Sequence, residues 1–149
     1  MKIELFQITK SETFQEIAKT TSWTGAKMKG DVSAYDRIFT TDEDKEMLER
    51  FWNESKNSAA DKLKKVLVAE TEHNGIYTLE LGLSNSFDEN LIESMRRSLF
   101  SFFVLNITAK WYTLTNKEEA EGYAATAASL LDDFLHKAFY KKKPVRPTY

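Results

Sequence analysis

The chain has no cysteine, only two prolines, five glycines and two histidines. Each scarcity closes off a class of answer. Without cysteine there is no disulfide scaffold, thiol nucleophile or thiolate metal site. So little proline and glycine favours long regular elements over a loop-rich fold. There is no HExxH, Walker loop or GxGxxG pattern. The N-terminal MKIELFQITK lacks an apolar h-region, so no secretory signal is expected. Asn53-Glu-Ser55 and Asn106-Ile-Thr108 fit the glycosylation sequon and are read as accidents on that ground.

The most apolar stretch, Leu99 to Ile107 in SLFSFFVLNITAKWY, is also too short for a membrane, which needs about 18 or more residues. Arg96, Arg97 and Lys110 flank it. Leu91, Met95, Leu99, Phe102, Phe103, Asn106 and Ile107 recur at spacings of three and four, which predicts one helix over 87–112. Apolar nearly all round, it belongs among other helices, and Asn106 needs a partner if buried.

Three capping boxes, Thr40-Thr-Asp-Glu43, Ser86-Phe-Asp-Glu89 and Thr115-Asn-Lys-Glu118, mark helix starts, and a short helix follows Thr9-Lys-Ser-Glu12. They predict a short helix over 10–20 and long ones over 42–65, 87–112 and 116–140. The last two are joined by about three residues and should form an antiparallel hairpin. Residues 21–40 read as an ordered loop holding Trp23, Tyr35, Ile38 and Phe39.

In VLVAETEHNGIYTLELGL the period changes from helical to alternating. Asn74-Gly75 at its centre predicts a β-hairpin over 67–73 and 76–83. A two-stranded hairpin is marginal alone, and KIELFQI near the N-terminus can supply a third strand. The expected fold is mainly α (α+β): a bundle of three long helices and a short N-terminal one, with a small hairpin. At 149 residues, 42% hydrophobic, one globular domain is expected over 1–140, followed by a basic extended tail over 141–149.

Charge is unevenly placed. Lys137 to Tyr149 holds five of the 21 cations and none of the 23 acids. Residues 1–136 therefore carry sixteen cations against twenty-three acids, a net of −7. Pro144 and Pro147 keep KKKPVRPTY from continuing a helix. Such a tail serves either as a solubilising end or as an arm that docks on an acidic neighbour or on phosphates. On the second reading Lys141, Lys142, Lys143 and Arg146 bind the partner, with Trp23 and Tyr35 as aromatic anchors.

Nothing points to catalysis. His136 follows Asp132 and Asp133 by one turn, which reads as a solvated helix face before it reads as a metal pair. Neither histidine is placed to activate Ser98 or Ser101. No catalytic residue, cofactor or metal is expected.

TTDEDKEMLERFWNESKNSAADKLKKVL resembles the opening helix of tailed-phage head–tail connector (adaptor) proteins. LFSFFVLNITAKWYTLTNKEEAEGYAATAASLLDDFLHKAFYKKKPVRP resembles their closing helices and basic end, so the likeness covers about residues 40–147. AKTTSWTGAK, IFTTDEDKEMLERFWNE and TNKEEAEGYAA are similar to uncharacterised prophage proteins of Bacteroides-type bacteria. Residues 1–39 depart from the usual connector plan, in which the first helix lies near the N-terminus. The resemblance implies a non-enzymatic phage virion structural protein. It would form a homo-oligomeric ring at the neck, meet portal or tail components and line a DNA-filled lumen. Its place would be the cytoplasm during assembly and then the virion. The alternative is a helical regulatory or nucleic-acid-binding module that uses the basic tail.

Overall fold

A computed structural model describes residues 1–27, 40, 41 and 44–144. The order is β1 (Lys2–Thr9), α1 (Lys10–Lys27), α2 (Lys45–Lys62), β2 (Leu67–His73), β3 (Ile76–Leu83), α3 (Ile92–Thr115) and α4 (Lys117–Ala138). A 3-10 turn, Glu89–Leu91, leads into α3. The fold is mainly α, with a small antiparallel sheet of strand order β1-β3-β2. The N-terminal strand and the hairpin thus form as the alternation predicts. Asn74 (φ 53°) and Gly75 (φ 74°) carry the turn in the left-handed region that Asn-Gly favours.

One face of the sheet builds the core. Phe6 and Ile8 of β1 and Tyr77, Leu79, Leu81 and Leu83 of β3 are buried against the helices. Phe6 meets Phe134 of α4 edge to face at 5.1 Å, and Phe103 of α3 packs on Trp52 and Tyr77. Burying each such ring is worth about 1.5–3 kcal/mol. α3 is enclosed as its composition requires, with eleven buried residues from Met95 to Tyr112. Its one amide, Asn106, donates to buried Ser55 of α2 at 2.8 Å.

The N-terminal helix is not short. It runs to Lys27, so Trp23 lies on a helix and not in a loop. Thr13, Thr20, Thr21 and Thr24 donate their hydroxyls to the carbonyls of Thr9, Glu16, Ile17 and Thr20, four residues back. Each hydroxyl is thus satisfied inside the helix, on a carbonyl one turn back.

The caps differ from their sequence patterns. At α2 the reciprocal contact is shifted by one residue: Thr41 N–H donates to Asp44 Oδ2 at 2.8 Å. Ser86 does not cap α3: its hydroxyl lies 3.0 Å from that of Ser84, and its carbonyl accepts from Lys142 N–H at 2.7 Å. Asp88 caps the 3-10 turn instead, through Asn90 N–H. Thr115 stays inside α3, donating to Trp111 O, so Asn116 alone links α3 to α4. No described helix is long and apolar enough to cross a membrane.

Candidate interaction surface

Strand pairing sets two ends to the molecule. Lys2 of β1 pairs with Leu83 of β3, and Leu67 of β2 with Leu81. The start of β1, the start of β2, the end of β3, the end of α2, the start of α3 and the end of α4 therefore share one end. It gathers Lys2, Lys62, Lys64, Lys65, Arg96, Arg97, Lys137 and Lys141–Lys143.

Most carboxylates there are already paired. Lys2 holds Glu89, Lys62 holds Asp132 at 2.5 Å, Lys137 holds Asp133 at 2.8 Å, Arg96 holds Glu93 at 2.6 Å, and Lys64 lies 3.9 Å from Asp61. The Lys2 hydrogen bond and charge, with the charge of Lys142, hold Glu89 below the usual carboxylate range. The Lys62 bond does the same for Asp132. Among the described residues, Lys65, Arg97, Lys141 and Lys143 have no ion-pair partner, so this end keeps surplus positive charge. Arg97 lies in the second turn of α3, near the positive end of the macrodipole, where a cation does nothing for the helix.

The basic tail is anchored at its root. Asp88 N–H donates to Tyr140 O at 3.2 Å and Lys142 N–H to Ser86 O at 2.7 Å, with Phe87 bridged antiparallel to Lys141. Residues 140–142 thus form a strap across the loop before α3, and Pro144 ends any return to helix. Lys141, Lys142 and Lys143 are exposed, with Phe139 (54%) and Tyr140 (59%) beside them.

The opposite end carries acids. Glu118, Glu119 and Glu121 are exposed on the first turns of α4, where the helix dipole favours them. Glu12 and Glu46 occupy the first turns of α1 and α2. Over its 22 residues α4 separates Glu118 from the strap by about 33 Å.

Trp23 is 66% exposed but stands apart from the strap. Its neighbour Thr24 lies at Tyr112, near the far end of α3. Burial pushes that Tyr112 phenol up to about 12. Tyr35 and Arg146 lie outside the described residues. The structure therefore brings Lys141, Lys142 and Lys143 together and leaves Trp23 separate.

A second polar cluster was not legible from residue spacing. A bulge between Leu67 and Ala69 shifts the register, so Glu70 and Glu72 face the helices beside Leu79 and Tyr77. Trp52 Nε1 donates to Glu72 at 2.7 Å, and Lys56 reaches the same carboxylate at 2.5 Å. Lys10 bridges Glu49 (3.0 Å) and Glu72 (3.8 Å). Burial alone would raise the Glu72 carboxyl, but the Lys56 and Trp52 bonds with the Lys56 and Lys10 charges hold it below the usual range. Tyr77 donates to Glu70, and burial followed by that bond pushes its phenol well up. The cleft beside them is about 170 Å³. Every charge in it has an internal partner, so it closes the β2 edge onto α2.

His73 and His136 are exposed and far apart in the fold, and Asp132 is taken by Lys62. Ser98 donates to Asp133 at 3.3 Å. Among the described residues no three His, Asp or Glu side chains group as metal ligands. No family model, curated protein or solved structure matches the chain.

Proposed function

We propose that this protein is a non-enzymatic structural subunit of a phage or prophage virion, a head–tail connector at the neck, whose copies associate end to end. The observation that carries the reading is the charge arrangement: an anchored basic strap at one end and exposed carboxylates about 33 Å away at the other. Such a surface is complementary to its own opposite end, and a contact of that kind is heterologous, closing into a ring when the rotation allows. The likeness of residues 40–147 to connector helices supports the same role. Portal or tail components are the further partners this role implies, with DNA in the lumen.

The test is quantitative mass spectrometry of particles released by prophage induction in the source bacterium. The reading expects a fixed copy number of several to about a dozen per particle, as closed symmetric rings require. Absence from particles that contain portal and tail proteins would refute it.

Exposed Phe139 and Tyr140 favour one second reading, a nucleic-acid-binding module. Aromatic faces beside cations stack single-stranded bases while the cations hold phosphates. That reading requires salt-dependent binding of single-stranded DNA by the full chain, weakened by Tyr140→Ala.

A further inference from the structure

The two edges of the sheet are unlike. β2 is guarded: its bulge breaks the register, and Glu70 and Glu72 point inward from it, both recognised protections against strand addition. β1 has neither. It is eight residues long, paired to β3 without a break, and holds no proline.

The free groups of β1 follow from the ladder. Lys10 N–H donates to Gly75 O at 2.8 Å, which continues the Thr9–Ile76 pair. Lys2, Glu4, Phe6 and Ile8 therefore exchange bonds with β3, and Ile3, Leu5 and Gln7 turn their backbone N–H and C=O to the open edge. Among the described residues no backbone group outside the sheet bonds them. Their side chains line the outer face, where Ile3 (46%) and Leu5 (47%) are exposed beside Met1 and Val68. Gly82 keeps this face flat: a Cβ there would come within 2.6 Å of Met1 Sδ and 3.1 Å of Val68 Cγ2.

We propose that the open edge of β1 pairs with β1 of a second copy, antiparallel and centred on Ile3. The register follows from charge. Centred on Lys2 or on Glu4, the seam would set like charges directly opposite each other, which is destabilising. Centred on Leu5, it would set Lys2 against Ile8 and Glu4 against Phe6. Centred on Ile3, it sets Lys2 opposite the partner's Glu4 on the inner face and joins Met1, Ile3 and Leu5 of both copies into one apolar row outside. Ile3 then faces its own counterpart as a hydrogen-bonded pair, using the donors and acceptors left free. The seam is isologous and closes on itself, so it is separate from the charge contact between opposite ends. It spans five residues per strand, a small interface that calls for a concentration-dependent dimer.

The full chain is tested by sedimentation over a concentration series at about 1 M salt, where a Debye length of about 3 Å suppresses the end-to-end contact. A dimer is expected. Ile3→Pro removes an amide the monomer does not use, so it should abolish the dimer while the monomer melts cooperatively. Gln7→Pro, outside the seam, should leave the dimer intact. Since the chain has no cysteine, Ile3→Cys introduces a single thiol, with its counterpart about 5.5 Å away between Cα atoms and within disulfide reach. Oxidation should link the two copies. A monomer at every concentration, a dimer that survives Ile3→Pro, or a thiol that links from Leu5→Cys and not from Ile3→Cys would overturn the proposal. The thiol variants decide it if the proline variant does not fold.

Discussion

Trp52 Nε1 donates to Glu72 Oε1 at 2.7 Å, tying the fully buried indole of α2 to an edge strand twenty residues later. The bond exists because the β2 bulge turns Glu72 inward. The same carboxylate takes Lys56 at 2.5 Å, so a single side chain closes the hairpin onto the helical layer.

Glu72→Gln keeps an acceptor for Trp52 but loses the charge that Lys56 and Lys10 face. It should cost about 1–2 kcal/mol at neutral pH by urea unfolding. Because the folded carboxyl sits below its ordinary value of 4.5, its stabilisation is present above that pH and fades as pH falls through the folded value. The gap between wild type and Glu72→Gln should therefore narrow below pH 4.5; a constant gap would rule this account out.

Asn106 and Ser55 form one hydrogen bond inside the α2–α3 contact. Ser55→Ala alone strands the amide and should cost about 1–3 kcal/mol. Replacing both, as Ser55→Ala with Asn106→Leu, should be less destabilising than the sum of the single changes, a coupling that a double-mutant cycle reads.

Gly75 has φ 74°, where a Cβ is strained although space is free around it. Gly75→Ala should lower stability by about 1–2 kcal/mol in denaturant unfolding without altering the far-ultraviolet circular dichroism. No loss would mean that the turn relaxes to another type.

Lys142 N–H anchors the strap to Ser86 O. Lys142→Pro removes that donor and should speed hydrogen exchange at Asp88, whose amide bonds Tyr140 O across the same strap. Lys142→Gln, with the charge gone and the amide kept, should leave Asp88 protected. Equal exchange in both variants would argue against an anchored tail.

The hairpin was readable because Asn74-Gly75 leaves one good turn and Tyr77, Leu79 and Leu81 leave one buried face. The third strand followed from the marginal stability of two. The helices were readable from apolar spacing, and the starts at Lys10 and Lys117 fall where the patterns put them, but those of α2 and α3 do not. Ser86 matches a cap, yet its carbonyl is occupied by Lys142, fifty-six residues on in the chain, which no local pattern can show. The segment after Thr20 reads as an ordered loop on its apolar residues, yet as far as Lys27 it continues α1, with the Thr21 and Thr24 hydroxyls bonded along the helix. Strict alternation from Leu67 would leave Glu70 and Glu72 in solvent; a one-residue bulge inverts them and creates the Trp52–Glu72 cluster. Lys141–Lys143 stood out by composition, whereas their anchoring and their distance from Glu118 needed the fold.

The most direct test of the end-to-end account is sedimentation velocity of the full chain at low salt, with matched charge reversals. Wild type should form species larger than a dimer that dissociate as salt rises. Lys141→Glu/Lys143→Glu should form none, and neither should Glu118→Lys/Glu121→Lys. An equimolar mixture of the two should regain association, since each then offers the surface the other lacks. Wild type that stays no larger than a dimer at low salt, or large assemblies that ignore both salt and charge reversal, would contradict the account.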